Sequence, residues 1–223
     1  MSKRVAVVLS GCGVYDGAEI YEATLTLLAL SQRGAKVQCF APDIPQLHVV
    51  NHVTGEVVSG ETRNVLVEAA RIARGAILPM TTANVDDFDA LIVPGGFGAA
   101  KNLCDFALCD FTVKGTQLHV QKEFLQFAQA MHQAGKPIGL ICIAPTMAAA
   151  ICGAGVKATI GNDADTTAAV NASGAVHCAC TVQQTCIDRE HKLVTTPAYM
   201  LAQSIAEAFD GINKLVDDVL SLT

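Results

Sequence analysis

Short, uninterrupted apolar runs alternate along the chain with longer segments whose apolar positions recur every three to four residues. "RVAVVLS" (4–10) is β-branched and unbroken, which predicts a strand buried on both faces. A glycine-rich loop, "GCGVYDG", follows it. Residues 18–34 then carry helical spacing and stop at Arg33-Gly34. "AKVQCFAP" (35–42) predicts a second strand, ended by Pro42. Over 45–60, Val49-Val50 and Val57-Val58 flank "NHVTGE", the pattern of a hairpin insertion. An amphipathic helix is predicted over 61–75, then a short strand "AILPM" and a turn or short helix "ANVDDFD".

The second half repeats the alternation. "ALIVPGGFGAAKN" (90–102) predicts a strand and a glycine loop, 103–119 is irregular, and 120–136 predicts a helix. "PIGLIC" (137–142) predicts the next central strand, leading directly into a helix "APTMAAAICGAG". "KATIGNDADTTAAVNASG" predicts a short strand and a helix. Residues 182–198 predict two strands about a turn at Asp188–His191, and "MLAQSIAEAFDGINKLVDDVL" predicts a long closing helix.

Strands alternating with helices predict an α/β fold, a doubly wound and mostly parallel sheet flanked by helices, with a small hairpin insertion. The length of 223 residues suits one domain over 1–223. In such sheets ligands gather beyond the carboxyl ends of the strands. Three loops meet that condition: 11–18, 94–102 and 142–145.

Composition narrows the function classes. Net charge is −6, without basic clusters, which argues against nucleic-acid binding. The apolar fraction of 51% is high and predicts a buried oligomer interface. No apolar run approaches the ~18 residues of a membrane span, so no membrane association is expected. The start "MSKRVAVVLS" reads as a first core strand rather than a leader, and a cytoplasmic location is expected. Nine cysteines, at 12, 39, 104, 109, 142, 152, 178, 180 and 186, include no CxxC pair. Reduced thiols are therefore expected. "HCAC" (177–180) could hold a soft metal but lacks the second pair of a structural zinc site, so no metal or other cofactor is expected.

Candidate chemistry converges on Cys142, at the corner between "GLIC" and "IAPT". A sharp strand-to-helix turn lifts its corner side chain above the sheet, as in nucleophile elbows. Amides at a helix start favour a thiolate, which predicts a lowered thiol pKa, and Pro145 suits a first helical turn. The Ile143 N–H faces an oxyanion formed at the sulfur's target, and Gly95 or Gly96 supplies a second donor. Glu19 and Glu22 open the first helix at the same end of the sheet. A carboxyl there hydrogen-bonds the sulfur; alternatively it only complements the helix dipole. By itself Cys142 also reads as a small core residue. Cys12, in the first site loop, is a resolving partner if the thiol senses oxidants. Asn102, at the end of the second loop, is a further secondary candidate.

Taken together, "VVLSG", "EATLTLLALSQRGAKV", "FDALIVPGGFGAAKN", "ICIAPTMAA" and "LVTTPAYMLAQSIAEA" resemble the DJ-1/PfpI superfamily over nearly the whole chain. "LSGCGVYDGAEI", "ETRNVLVEAARI" and "TTPAYMLAQ" are similar to its ElbB subgroup, whose members carry names in isoprenoid and lycopene biosynthesis. The resemblance implies a flavodoxin-like, class I glutamine amidotransferase-like fold and, with the apolar excess, a homodimer. It implies Cys142 as nucleophile, Glu22 as its acid partner, and Gly96 with Ile143 as oxyanion donors. One departure matters: protease and amidase members place His after the elbow cysteine, and residue 143 is Ile. The histidines, at 48, 52, 119, 132, 177 and 191, fall outside the site loops.

Amide hydrolysis without a proton donor for the leaving nitrogen is poorly served. The expected activity is a cofactor-independent, glutathione-independent glyoxalase that takes glyoxal or methylglyoxal to the 2-hydroxy acid through a hemithioacetal on Cys142. The alternative is a thiol redox sensor, or a stress-response scaffold or holdase with a weak site.

Overall fold

Burial explains the strand sequences. In a computed structural model of the chain, which describes residues 2–109 and 118–223, β1 (Arg4–Val8) is sealed on both faces from Val5 onward. Val5 and Val7 point into one core and Ala6 and Val8 into the other, so both sides of the pleat must be apolar. α1 (Ile20–Gln32) returns the chain antiparallel to β1, and β2 (Lys36–Ala41) pairs parallel to β1. Glu19 caps α1, and Gly34 (φ +66°) closes it in a conformation that favours glycine. The hairpin appears as β3 (Val50–Asn51) and β4 (Glu56–Val57). α2 (Val65–Ile72), capped by Asn64, leads to β5 (Ile77–Pro79) at one sheet edge.

β6 (Ala90–Val93) lies beside β1. α3 (Lys122–Gln133) then leads to β7 (Ile138–Ile141), which pairs with β6. Of the irregular stretch 103–119, residues 110–117 lie outside the described residues. α4 (Ala148–Cys152), β8 (Lys157–Ala158), α5 (Ala164–Ala172) and β9 (Val176–His177) form an excursion. β10 (Cys186–Asp188) and β11 (Leu193–Thr196) rejoin the main sheet, and α6 (Ile205–Ser221) closes the chain. The seven-stranded order is β10-β11-β7-β6-β1-β2-β5, parallel except for β10.

One core packs α1, α2 and α6 against the sheet; the other packs α3, α4 and α5. This is the doubly wound architecture predicted from the alternation. Two local expectations are corrected, and one element went unpredicted. The segment after Cys142 is not one continuous helix: a 3-10 turn, Ala144–Met147, precedes the five-residue α4, which Gly153 (φ +97°) ends. The closing helix begins at Ile205, where Ser204 supplies the cap, and not at Met200. The two-residue β9, paired parallel to β8, carries no periodic signal in the sequence.

Candidate active site

Strands β1, β6, β7 and β11 all end at the same edge, and their loops converge on Cys142. The cysteine holds φ +62°, an unfavourable conformation for a residue with a Cβ. Its N–H donates to the Thr196 carbonyl at 3.0 Å, which ties the corner to the end of β11. The sulfur is thereby fixed over the gap between β6 and β7.

Glu22, on the first turn of α1, is fully buried against that sulfur and hydrogen-bonded to it. Its Oε2 accepts the Gly95 N–H at 2.9 Å, and its Oε1 accepts the Tyr199 N–H at 3.3 Å. Burial, with repulsion from Glu19, raises its carboxyl to about 8, so it carries a proton at neutral pH. Burial also raises the Cys142 thiol, as does the Glu22 carboxylate. The N–H groups of Gly96 and Ile143 point at the sulfur and oppose that rise without cancelling it. The lowered thiol pKa expected from a helix start is therefore corrected. The helix that should have lowered it is a 3-10 turn, and the carboxyl beside the sulfur withholds negative charge.

The glycine roles also separate. Gly96 (φ +88°) aims its N–H at the sulfur, whereas the Gly95 N–H is used by Glu22. Gly95 is thus no oxyanion donor in this arrangement. It is the contact that lets the acid and the thiol meet: a Cβ there would stand 2.5 Å from Cys142 Cβ and 2.9 Å from Glu22 Oε2.

Two secondary candidates lie elsewhere. Asn102 donates from Nδ2 to the Ser10 and Asp16 carbonyls and accepts the Leu47 N–H, so it braces the first loop. Cys12 interacts with Glu68 and Arg71 on α2 and is not among the residues lining the cavity at Cys142. The hairpin likewise acts as a brace. His52 Nε2 accepts from Val14 and Tyr15 N–H at 2.9 and 3.2 Å, and Asp16 accepts the Val50 N–H.

Cys142 opens onto a cavity of about 370 Å³. Glu19 lines it, while Phe97, Phe106, Ile143 and Met200 make its walls mostly apolar. Tyr199 and Thr166 complete the rim, and no histidine belongs to the described lining. Glu19 also accepts the Glu22 N–H at 2.6 Å, combining a helix cap with a carboxyl on the cavity wall. Sequence reasoning missed Tyr199 and Thr166. The only signal for Tyr199 was its place just after a strand that ends at the site. Among the described residues no group of His, Cys, Asp and Glu is arranged to hold a metal ion.

Comparison with known proteins places this site in context. The sequence profile of the DJ-1/PfpI family matches residues 3–199. Glutamine amidotransferase-like class 1 domain-containing protein 3, mitochondrial, of Homo sapiens is 49% identical over 99% of this chain and 83% of its own length. ES1 protein, mitochondrial, of Danio rerio is 31% identical over 99% of this chain and 86% of its own. Among solved structures, an isoprenoid biosynthesis protein with an amidotransferase-like domain from Ehrlichia chaffeensis aligns with TM-score 0.88. It is 35% identical and covers 99% of this chain and 100% of its own. Drosophila melanogaster DJ-1beta, at 18% identity and TM-score 0.55, shares the fold.

These relatives overturn one expectation. The curated proteins that match 99% of the chain are named mitochondrial, which points away from the cytoplasm. Reduced thiols and the lack of an apolar span fit any reducing compartment, so they could not fix a cytosolic address.

Proposed function

The chain belongs to the DJ-1/PfpI family, which includes glyoxalase and stress-response members, and on that premise we propose that it is a cofactor-independent glyoxalase. It would convert 2-oxoaldehydes to 2-hydroxy acids through a covalent adduct on Cys142. The supporting observation is a thiol hydrogen-bonded to one protonated carboxyl, with two backbone N–H groups aimed at the sulfur and no histidine in the described lining.

Glu22 gives up its proton before the raised thiol does, and addition begins as the sulfur passes its own proton to the Glu22 carboxylate, which leaves the charge on sulfur and the proton on Glu22. The thiolate adds to the aldehyde carbon, and the resulting oxyanion takes the Glu22 proton while the Gly96 and Ile143 amides stabilise the developing charge. Glu22, now a carboxylate, removes the hydrogen from that carbon to give an enediol. A proton passes between the enediol oxygens, and Glu22 returns its own to the second carbon, leaving a 2-hydroxyacyl thioester. Water cleaves the thioester, releases the hydroxy acid and restores the thiol. The net change is addition of one water to the oxoaldehyde.

This chemistry asks for one acid that alternates between donor and acceptor, which suits a carboxyl raised to about 8. It needs no donor to a leaving nitrogen, the element an amidase would require. Redox sensing at Cys142 calls only for the thiol, whereas Glu22 and the two amides aimed at the sulfur have a use in the glyoxalase reaction. The test is product formation from glyoxal and methylglyoxal by Cys142→Ala and Glu22→Gln. Loss of at least a hundredfold in both is expected, and wild-type turnover in either ends the proposal.

A further inference from the structure

A second set of thiols lies far along the chain from Cys142, in the excursion that follows α4. Cys178 follows β9, its N–H donating to the Ala158 carbonyl of β8, and Cys186 opens β10; the two thiols interact across the seam. Cys180 lies close enough to interact with both. All three are free thiols; Cys186 is buried, whereas Cys178 and Cys180 are partly exposed. The glyoxalase reading uses none of them.

Their place in the fold gives the contact a consequence. The β8–β9 ribbon is a separate two-stranded sheet. It is joined to the β10–β11 edge through side chains: the Lys157 N–H donates to Asp188 Oδ2 at 2.8 Å, and the Thr159 N–H to Thr195 Oγ1 at 2.9 Å. Cys178 stands on the ribbon side of this seam and Cys186 on the main-sheet side. α5, which leads into β9, carries Thr166 on the cavity rim.

We propose that Cys178 and Cys186 form a dithiol site that hydroperoxides convert reversibly to a disulfide, fastening the β8–β9 ribbon to the edge of the main sheet. Cys178, the more accessible sulfur, meets the oxidant first: its thiol and the peroxide give a sulfenic acid and one molecule of water or alcohol. The Cys186 sulfur then attacks the sulfenic sulfur; the hydroxyl leaves and takes the Cys186 proton as water. Two thiols lose two hydrogens, the peroxide is reduced, and the bond closes a short loop between 178 and 186. Cys186 is buried and Cys178 partly exposed, which sets the order of the two steps. Thiol reductants reverse the change.

The experiment starts with the wild-type protein. The protein is treated with dilute hydrogen peroxide, free thiols are blocked in acid, and the unreduced protein is digested with trypsin. No Lys or Arg lies between 158 and 188, so all three cysteines fall on one peptide, 158–189. That peptide should lose two hydrogens, and its fragment ions between 178 and 186 should vanish and return after reduction. Cys178→Ser should abolish the loss, and Cys180→Ser should leave it intact. Added oxygen at Cys178 without loss of hydrogen overturns the proposal, as do fragment ions persisting between 180 and 186, which mark a 178–180 pair. An unchanged peptide while Cys142 is oxidised also overturns it. The readout is a mass, so it stands or falls separately from glyoxalase turnover.

Discussion

Glu22 accepts the Gly95 N–H at 2.9 Å, and the same glycine leaves the space in which the acid reaches the Cys142 sulfur. A methyl group at residue 95 would stand 2.5 Å from Cys142 Cβ and 2.8 Å from the Ile141 carbonyl oxygen, so one neighbour must move. Gly95→Ala should therefore lower stability by roughly 1–3 kcal/mol, the usual cost of overpacking. Turnover should fall further than stability, and Cys142 alkylation should change with it. Denaturant midpoints and iodoacetamide labelling together check this; wild-type values in both would refute the packing argument.

Glu22→Gln separates holding the thiol from moving a proton. The amide keeps polar contact with the sulfur and is neutral, like the protonated acid it replaces. Iodoacetamide reactivity at neutral pH should stay within about threefold of wild type, while 2-hydroxy acid formation drops by roughly 10²–10⁴, the range for a lost general acid–base. Parallel loss of both would mean that Glu22 only shapes the site.

Glu19→Gln should shift the pH–rate profile toward lower pH. The Glu19 charge is the second cause, after burial, of the raised Glu22 carboxyl, and Gln removes it while retaining an oxygen to cap α1. A profile that stays in place, with folding intact by circular dichroism, would remove Glu19 from the electrostatics of the pair.

Stability should fall with rising pH through the same group. Folded Glu22 keeps its proton to about 8, whereas an unfolded glutamate loses it near 4.5. Between these values the folded state binds the extra proton. The contribution is therefore complete below 4.5 and declines as pH rises toward 8, at up to about 1.4 kcal/mol per pH unit. Chemical denaturation of wild type and Glu22→Gln at pH 5 and pH 8 isolates the effect: the variant should gain relative to wild type at pH 8. An equal difference at both pH values would show that the carboxyl is not raised.

The apolar cavity wall favours a substituted oxoaldehyde. Burying one methyl is worth about 0.8 kcal/mol, so kcat/KM for methylglyoxal should exceed that for glyoxal by about fourfold. Ile143→Ala keeps the backbone donor and removes part of the wall, and should narrow that ratio. A ratio near unity in wild type would mean that the substrate does not touch these side chains.

The apolar runs at 4–10, 90–93 and 137–142 made the parallel sheet legible, because a strand buried on both faces cannot hide its composition. Cys142 and the acids Glu19 and Glu22 were legible because a thiol at a strand end and acids at the start of the first helix sit at predictable corners, and the family resemblance pointed to Glu22 of the two. Gly95 and Gly96 were not separable. Both are glycines in one turn, and only the path of the backbone decides which N–H faces the carboxyl and which faces the sulfur. Asn102 and Cys12 lie in the predicted site loops, but their partners, the Ser10 and Asp16 carbonyls for one and α2 for the other, were set by the fold.

Periodicity thus settled the sheet and its helical layers and, with corner chemistry, singled out Cys142 and the acids at the start of α1, since each depends on neighbours within a few residues. Which groups share a proton, which amide serves which atom, and the raised rather than lowered pKa of Cys142 were decided by tertiary packing. They depend on burial and on contacts spanning 73 residues between Glu22 and Gly95 and 177 between Glu22 and Tyr199. The exclusion of water at such a junction is a property of the assembled fold, and no local stretch of the chain encodes it.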